Sequence, residues 1–78
     1  MQNLPFDQYL DATELNCPMP LLKMKQALRY LEPGQVLKIE ATDAGSQRDF
    51  NAFVNHSEHQ MLEEYCVDGV YGYLIQKG

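Results

Sequence analysis

Polar and apolar residues alternate or recur with different periods along the chain, and each period predicts an element. Gln8, Tyr9, Leu10 and Asp11 read as a short first strand. From Cys17 to Leu31 the apolar positions return at helical spacing: Leu21, Met24, Leu28 and Leu31 share one face, with Leu22 widening the stripe. Lys23, Lys25, Gln26 and Arg29 point mostly away from it. Pro33-Gly34 stops this helix and turns the chain. Gln35 to Ala41 then alternates with period two, Leu37, Ile39 and Ala41 toward a core and Lys38 and Glu40 toward water. Asp43-Ala44-Gly45-Ser46 is a loop in which Ser46 is placed to cap a second helix, about Gln47 to His56, with Phe50, Phe53 and Val54 inward. Met61 to Val67 and Val70 to Gln76 are strands joined by Asp68-Gly69, because a two-residue hairpin turn needs positive φ. In the first of them Met61, Glu63 and Tyr65 alternate with Leu62, Glu64 and Cys66, and the pattern leaves open which set meets solvent.

The predicted order is β-α-β-α-β-β. This is an α+β arrangement: a two-layer α/β sandwich with a four-stranded mixed sheet and both helices on one face. The chain reads as a single domain over residues 1–78, with residues 1–7 as a flexible lead-in. A domain of this size buries only about 60% of its unfolded surface, so chemistry belongs on the surface or in a loop.

Eleven acidic residues against six Lys and Arg give a net charge of −5. That balance disfavours direct nucleic-acid binding, which needs clustered cations. It suits protein partners instead. No basic-then-apolar leader and no membrane-length apolar run stands out, which predicts a cytoplasmic protein with no membrane contact. In a reducing compartment stable disulfides are rare, so Cys17 and Cys66 are read as separate thiols.

Cys17 is the residue of chemical interest. It falls between the first strand and the first helix, where partial positive charge and free N–H groups favour thiolate. The bland alternative, a small buried hydrophobe, is common for free cysteine. Cys17 lies outside the apolar stripe, and Pro18 biases it toward an extended, capping conformation. No carboxylate follows in the first turn to hold its proton. Together these features favour a reactive thiol. Met19 also precedes a proline, so the helix start is set only to within a residue or two.

The run Leu10-Asp11-Ala12-Thr13-Glu14-Leu15-Asn16-Cys17-Pro18-Met19-Pro20 resembles the signature of the TusA/SirA-like sulfur-carrier family. The likeness continues through Pro33-Gly34, Asp43, Arg48-Asp49 and the final Tyr73 to Gly78. It implies a persulfide carried on Cys17, supplied by a cysteine desulfurase or a rhodanese and passed to an acceptor protein, as in tRNA 2-thiouridine synthesis. It implies a stoichiometric carrier with no cofactor and no metal; an exposed relay site with transient partners favours a monomer. Pro18 and Pro20 stiffen the helix start after Cys17, since proline lacks an N–H where its loss costs least. By the resemblance Arg48 and Asp49 form a second motif near Cys17. Arg48 would offset sulfur charge or meet an acidic partner. Asp11 would tie down the loop through backbone N–H groups. The family often has glycine where this chain has Glu14, a position at which glycine would permit positive φ. The rival reading of the same fold is a redox-sensing or regulatory interaction module. His56 and His59 lack the further ligands a metal site needs and read as ordinary surface or loop residues. Cys66 reads as a strand residue rather than a resolving thiol.

Overall fold

The computed structural model describes residues 6–16 and 18–78. Six elements follow in order: β1 (Gln8–Ala12), α1 (Met19–Arg29), β2 (Val36–Ala41), α2 (Ser46–Asn55), β3 (Gln60–Val67) and β4 (Val70–Gln76). The sheet runs β1-β2-β4-β3, with β1 parallel to β2 and the other pairs antiparallel. This is the expected two-layer arrangement of a four-stranded mixed sheet and two helices.

One core fills the space between sheet and helices. Met24 and Leu28 from α1 and Phe50 and Val54 from α2 meet Leu37, Ile39 and Ala41 of β2 and Tyr73 and Ile75 of β4. The Phe50 and Tyr73 rings lie 4.6 Å apart, tilted by 59°. Each of the Met, Leu, Ile, Val and Phe side chains in this core stabilises the fold by roughly 1.5–3 kcal/mol through burial. Leu22 is not part of this face and is exposed. Two residues before Met24 means about 200° around the helix, which points Leu22 away from the sheet.

Both helices differ from the periodicity at their ends. α1 starts at Met19, with Pro18 as its capping residue, and ends at Arg29 rather than Leu31. Ser46 is not a cap but the first residue of α2; the capping residue is Gly45, and no side chain caps the helix. The Ser46 hydroxyl is buried and shares a 2.8 Å hydrogen bond with the Tyr73 hydroxyl, satisfying both groups inside the core.

The turns follow their chemistry. Asp68 and Gly69 both take positive φ, 52° and 80°, as a type I′ hairpin requires. Gly34 has φ 94° after Pro33, and the Gln35 N–H closes on the Glu32 carbonyl at 3.0 Å, a type II turn. Asp7, within the lead-in, is tied to β2: its N–H donates to the Val36 carbonyl and its carboxylate accepts the Val36 N–H, each at 2.8 Å.

The question left open in β3 is resolved by a register shift between Met61 and Glu63. Met61 pairs with Ile75 and Glu64 with Tyr73, both on the helix side. Glu63 and Tyr65 pair with Leu74 and Gly72, on the open side. Leu62 is the extra residue, so neither alternating set is wholly in or out. On the open side Glu40 accepts a hydrogen bond from Tyr9 at 2.7 Å and another from Tyr65 at 3.1 Å. A methyl group at position 72 would overlap the Tyr65 ring, so Gly72 is what lets that ring lie flat across β4.

Candidate functional site

Parallel pairing of Ala12 with Ala41 ends β1 and β2 at the same edge of the sheet. The loops that follow, 13–18 and 42–45, therefore emerge side by side, and each leads into the N-terminus of a helix. In open sheets with parallel strands, sites form at such carboxyl ends. Cys17 belongs to the first of these loops by sequence and lies outside the described residues. Its neighbours Asn16 and Pro18 are exposed.

Three contacts shape the loop ahead of Cys17. Asp11 accepts the Thr13 hydroxyl at 2.6 Å and the Thr13 N–H at 3.0 Å. These bonds, the hydroxyl first, hold its carboxyl below the usual aspartate range. The Leu15 N–H reaches back to the Ala12 carbonyl at 3.4 Å, closing a turn. Glu14, third in that turn, has φ 68°, a left-handed conformation rare for a side-chain-bearing residue. The position at which glycine was expected to be useful thus has the backbone that glycine favours, with glutamate in it. The Glu14 N–H donates across the gap to the Thr42 hydroxyl at 2.9 Å, joining the two loops.

The helix start beyond Cys17 is stiff. The Met19 N–H donates to the Asn16 carbonyl at 2.8 Å, and the Leu22 N–H to the Pro18 carbonyl at 3.1 Å. Pro20 is fully buried, while Pro18 is exposed. No acidic residue stands in the first turn of α1. Met19 and Leu22, three apart and so on the same face, are exposed apolar side chains beside Cys17 in sequence.

Arg48 and Asp49 lie in the first turn of α2, with Nε and Oδ1 3.6 Å apart. The Arg48 side chain is 86% exposed and that of Asp49 22%. A pair this exposed contributes little to stability. Asp49 also suits the positive end of the α2 dipole.

Sequence reasoning missed Thr42 and undervalued Asp43. Thr42 acts 28 residues from its partner, and no local pattern announces that. Asp43 Oδ2 is buried without a hydrogen-bond partner among the described residues. A Cβ on Gly45 would come within 3.1 Å of that oxygen, so glycine leaves room for it.

Cys66 is exposed on β3, beside a cavity of about 350 Å³ that Gln47 and Tyr71 also line. His56 is exposed, its Nδ1 3.0 Å from the Ala52 carbonyl. His59 Nδ1 accepts the Gly78 N–H at 3.0 Å, and burial and Lys77 push its pKa down. Among the described residues, no three His, Cys, Asp or Glu side chains stand together as a metal-binding group. No helix formed by them is long and apolar enough to cross a membrane.

Comparison with known proteins gives a consistent picture. The family described as "Sulfurtransferase TusA" matches residues 8–77. The sulfur carrier protein TusA of Allochromatium vinosum is 44% identical over 72 residues, covering 92% of this chain and 95% of that one. TusA of Pseudomonas fluorescens is 40% identical over 76 residues, covering 97% and 92%. A SirA-like protein from Desulfitobacterium hafniense superposes with a TM-score of 0.80 at 26% identity, over 92% of this chain and 99% of that one.

Proposed function

Because this chain belongs to the TusA sulfurtransferase family, we propose that it is a cytoplasmic sulfur carrier that holds sulfane sulfur as a persulfide on Cys17. The observation that carries the reading is the family match over residues 8–77 with Cys17 in a Cys-Pro-x-Pro run at the start of α1.

The chemistry is two sulfur exchanges. Cys17 thiolate attacks the outer sulfur of a donor persulfide. A new S–S bond forms on Cys17, the donor S–S bond breaks, and the donor cysteine leaves as thiolate. An acceptor thiolate then attacks the outer sulfur on Cys17, and Cys17 leaves as thiolate. A low pKa serves both steps, since it supplies thiolate for the attack and a good leaving group for the release. The donor is a cysteine desulfurase or a rhodanese. The acceptor is a thiol protein, as in a relay toward tRNA 2-thiouridine.

The surroundings support this use. The turn at Glu14, the Thr42 bond and the two prolines constrain the described residues on either side of Cys17. Preorganisation of that kind lowers the entropy cost of presenting one sulfur atom to successive partners. The exposed Met19 and Leu22 offer an apolar contact to a docking protein. Arg48 would offset sulfur charge, and Asp49 would hold the start of α2.

The test is loading by a cysteine desulfurase with radiolabelled cysteine. Label should bind the wild type and Cys66→Ala, and be absent from Cys17→Ala. Equal labelling of Cys17→Ala would overturn the assignment.

A further inference from the structure

The chain is acidic, with six Lys and Arg against eleven Asp and Glu. Yet three of the six cations, Lys25, Arg29 and Lys77, line one groove of about 290 Å³ together with Leu28, Phe53 and His59. Lys25 and Arg29 are one helical turn apart on α1, so their side chains rise together. Lys25 Nζ lies 5.2 Å from the centre of the Phe53 ring, and that ring lies 5.8 Å from His59. Lys77 Nζ donates to the Leu28 carbonyl at 2.7 Å, leaving two further N–H groups. His59 Nδ1 is an acceptor in its bond with Gly78, so the neutral ring keeps its proton on Nε2 as a donor.

Local stability explains part of this. Arg29 suits the negative end of the α1 dipole, and Lys77 adds a second hydrogen bond to the Leu28 carbonyl there, which also accepts the Leu31 N–H at 3.2 Å. It does not explain why Lys25, Arg29 and Lys77 have no ion-pair partner among the described residues, the acid that acts on the cluster being Glu58, through His59. Among the described residues the single ion pair is Arg48 with Asp49, and none of the groove cations has an acidic partner within bonding distance. On a surface with nearly twice as many acids as bases, an un-neutralised cationic groove with an aromatic wall is complementary to negative charge from outside.

We propose that this groove docks an acidic segment of a partner protein, with carboxylates against Lys25, Arg29 and Lys77 and an apolar side chain against Leu28 and Phe53. Identifying that partner as the sulfur donor or acceptor rests on the carrier reading above. The geometry suits a single interface. At about 1.5 Å rise per residue, Lys25 and Arg29 lie about 9 and 15 Å along α1 from Met19. An ordinary interface covers roughly 800 Å² per partner, enough to span the groove and the Cys17 end of the helix together. A net negative carrier would repel acidic partners in most orientations, so the groove selects the docking pose.

The experiment is an amide chemical-shift titration of the isotope-labelled full chain with a glutamate-rich decapeptide carrying one leucine. Shifts should concentrate at Lys25, Arg29, Phe53, His59 and Lys77 and fade with added salt. Lys25→Ala/Arg29→Ala should weaken binding about tenfold or more. Lys23→Ala/Lys38→Ala, which removes the same charge elsewhere, should bind like the wild type, as should Cys17→Ala. Shifts scattered over the surface, equal binding by the groove variant, or competition by sulfate beyond its ionic-strength effect would overturn the proposal. None of these outcomes touches sulfur loading, so a failed groove and a failed carrier are told apart.

Discussion

The Thr42 hydroxyl accepts the Glu14 N–H at 2.9 Å, binding the loop that contains Cys17 to the loop that opens α2. Thr42→Val keeps the shape and removes the acceptor; Thr42→Ser keeps the acceptor. Valine should cost about 1 kcal/mol, a fall in melting temperature of roughly 4–8 °C for a chain this size. Serine should recover most of it. Alkylation of Cys17 should change with valine and return with serine. Equal melting temperatures for wild type and Thr42→Val would mean that the bond does not hold the loop.

Glu14 sits at φ 68°, where a side chain is disfavoured by roughly 1–2 kcal/mol. Glycine removes that strain but adds freedom to the unfolded chain, worth about 0.4–1 kcal/mol in the opposite sense. Glu14→Gly should therefore raise the melting temperature by a few degrees in a thermal scan. A lower melting temperature would show that the glutamate side chain is held by a contact that outweighs the strain.

The hydroxyls of Ser46 and Tyr73 satisfy each other at 2.8 Å in the core. Ser46→Ala or Tyr73→Phe alone strands one buried group, at about 1–3 kcal/mol. Removing both should cost less than the sum of the single changes, by roughly 0.5–3 kcal/mol in a double-mutant cycle. Strict additivity in denaturant melts would contradict the pairing.

Much of the architecture was legible because strong local signals agreed with it. Val70 to Gln76 was bounded by the Asp68-Gly69 turn on one side and the loss of apolar residues on the other, and β4 has those ends. The reading of β3 stayed open because its alternation is broken by a shift at Leu62, which no residue type announces. Ser46 was misplaced because a serine before a helix looks the same whether it caps the helix or bonds a tyrosine 27 residues away. The candidate site was legible as a motif around Cys17, and Asp11 anchors the loop that precedes it. The Thr42 bond was hidden because it joins loops brought together only by the parallel pairing of β1 and β2.

Alkaline pH should weaken the fold through its open-face and core tyrosines. Tyr9 is raised from 10.0 to about 12, first by its hydrogen bond to the Glu40 carboxylate. Tyr65 and Tyr73 are raised first by burial. A raised phenol favours the neutral form in the fold, so its stabilisation is complete below pH 10 and lost as pH rises above it, for Tyr9 through about 12. Ultraviolet titration should show delayed tyrosinate formation, and Glu40→Gln should bring Tyr9 back toward its ordinary range. Tyr9 titrating at the same pH in both proteins would sink the assignment.

The central claim is that Cys17 carries sulfur, and intact-protein mass spectrometry tests it most directly. After incubation with a cysteine desulfurase and cysteine, the chain should gain the mass of one sulfur atom. Dithiothreitol should remove it, and Cys17→Ala should never acquire it while Cys66→Ala does. No gain with desulfurases, nor with thiosulfate and a rhodanese, would contradict the account and leave a fold that presents Cys17 for some purpose other than relay.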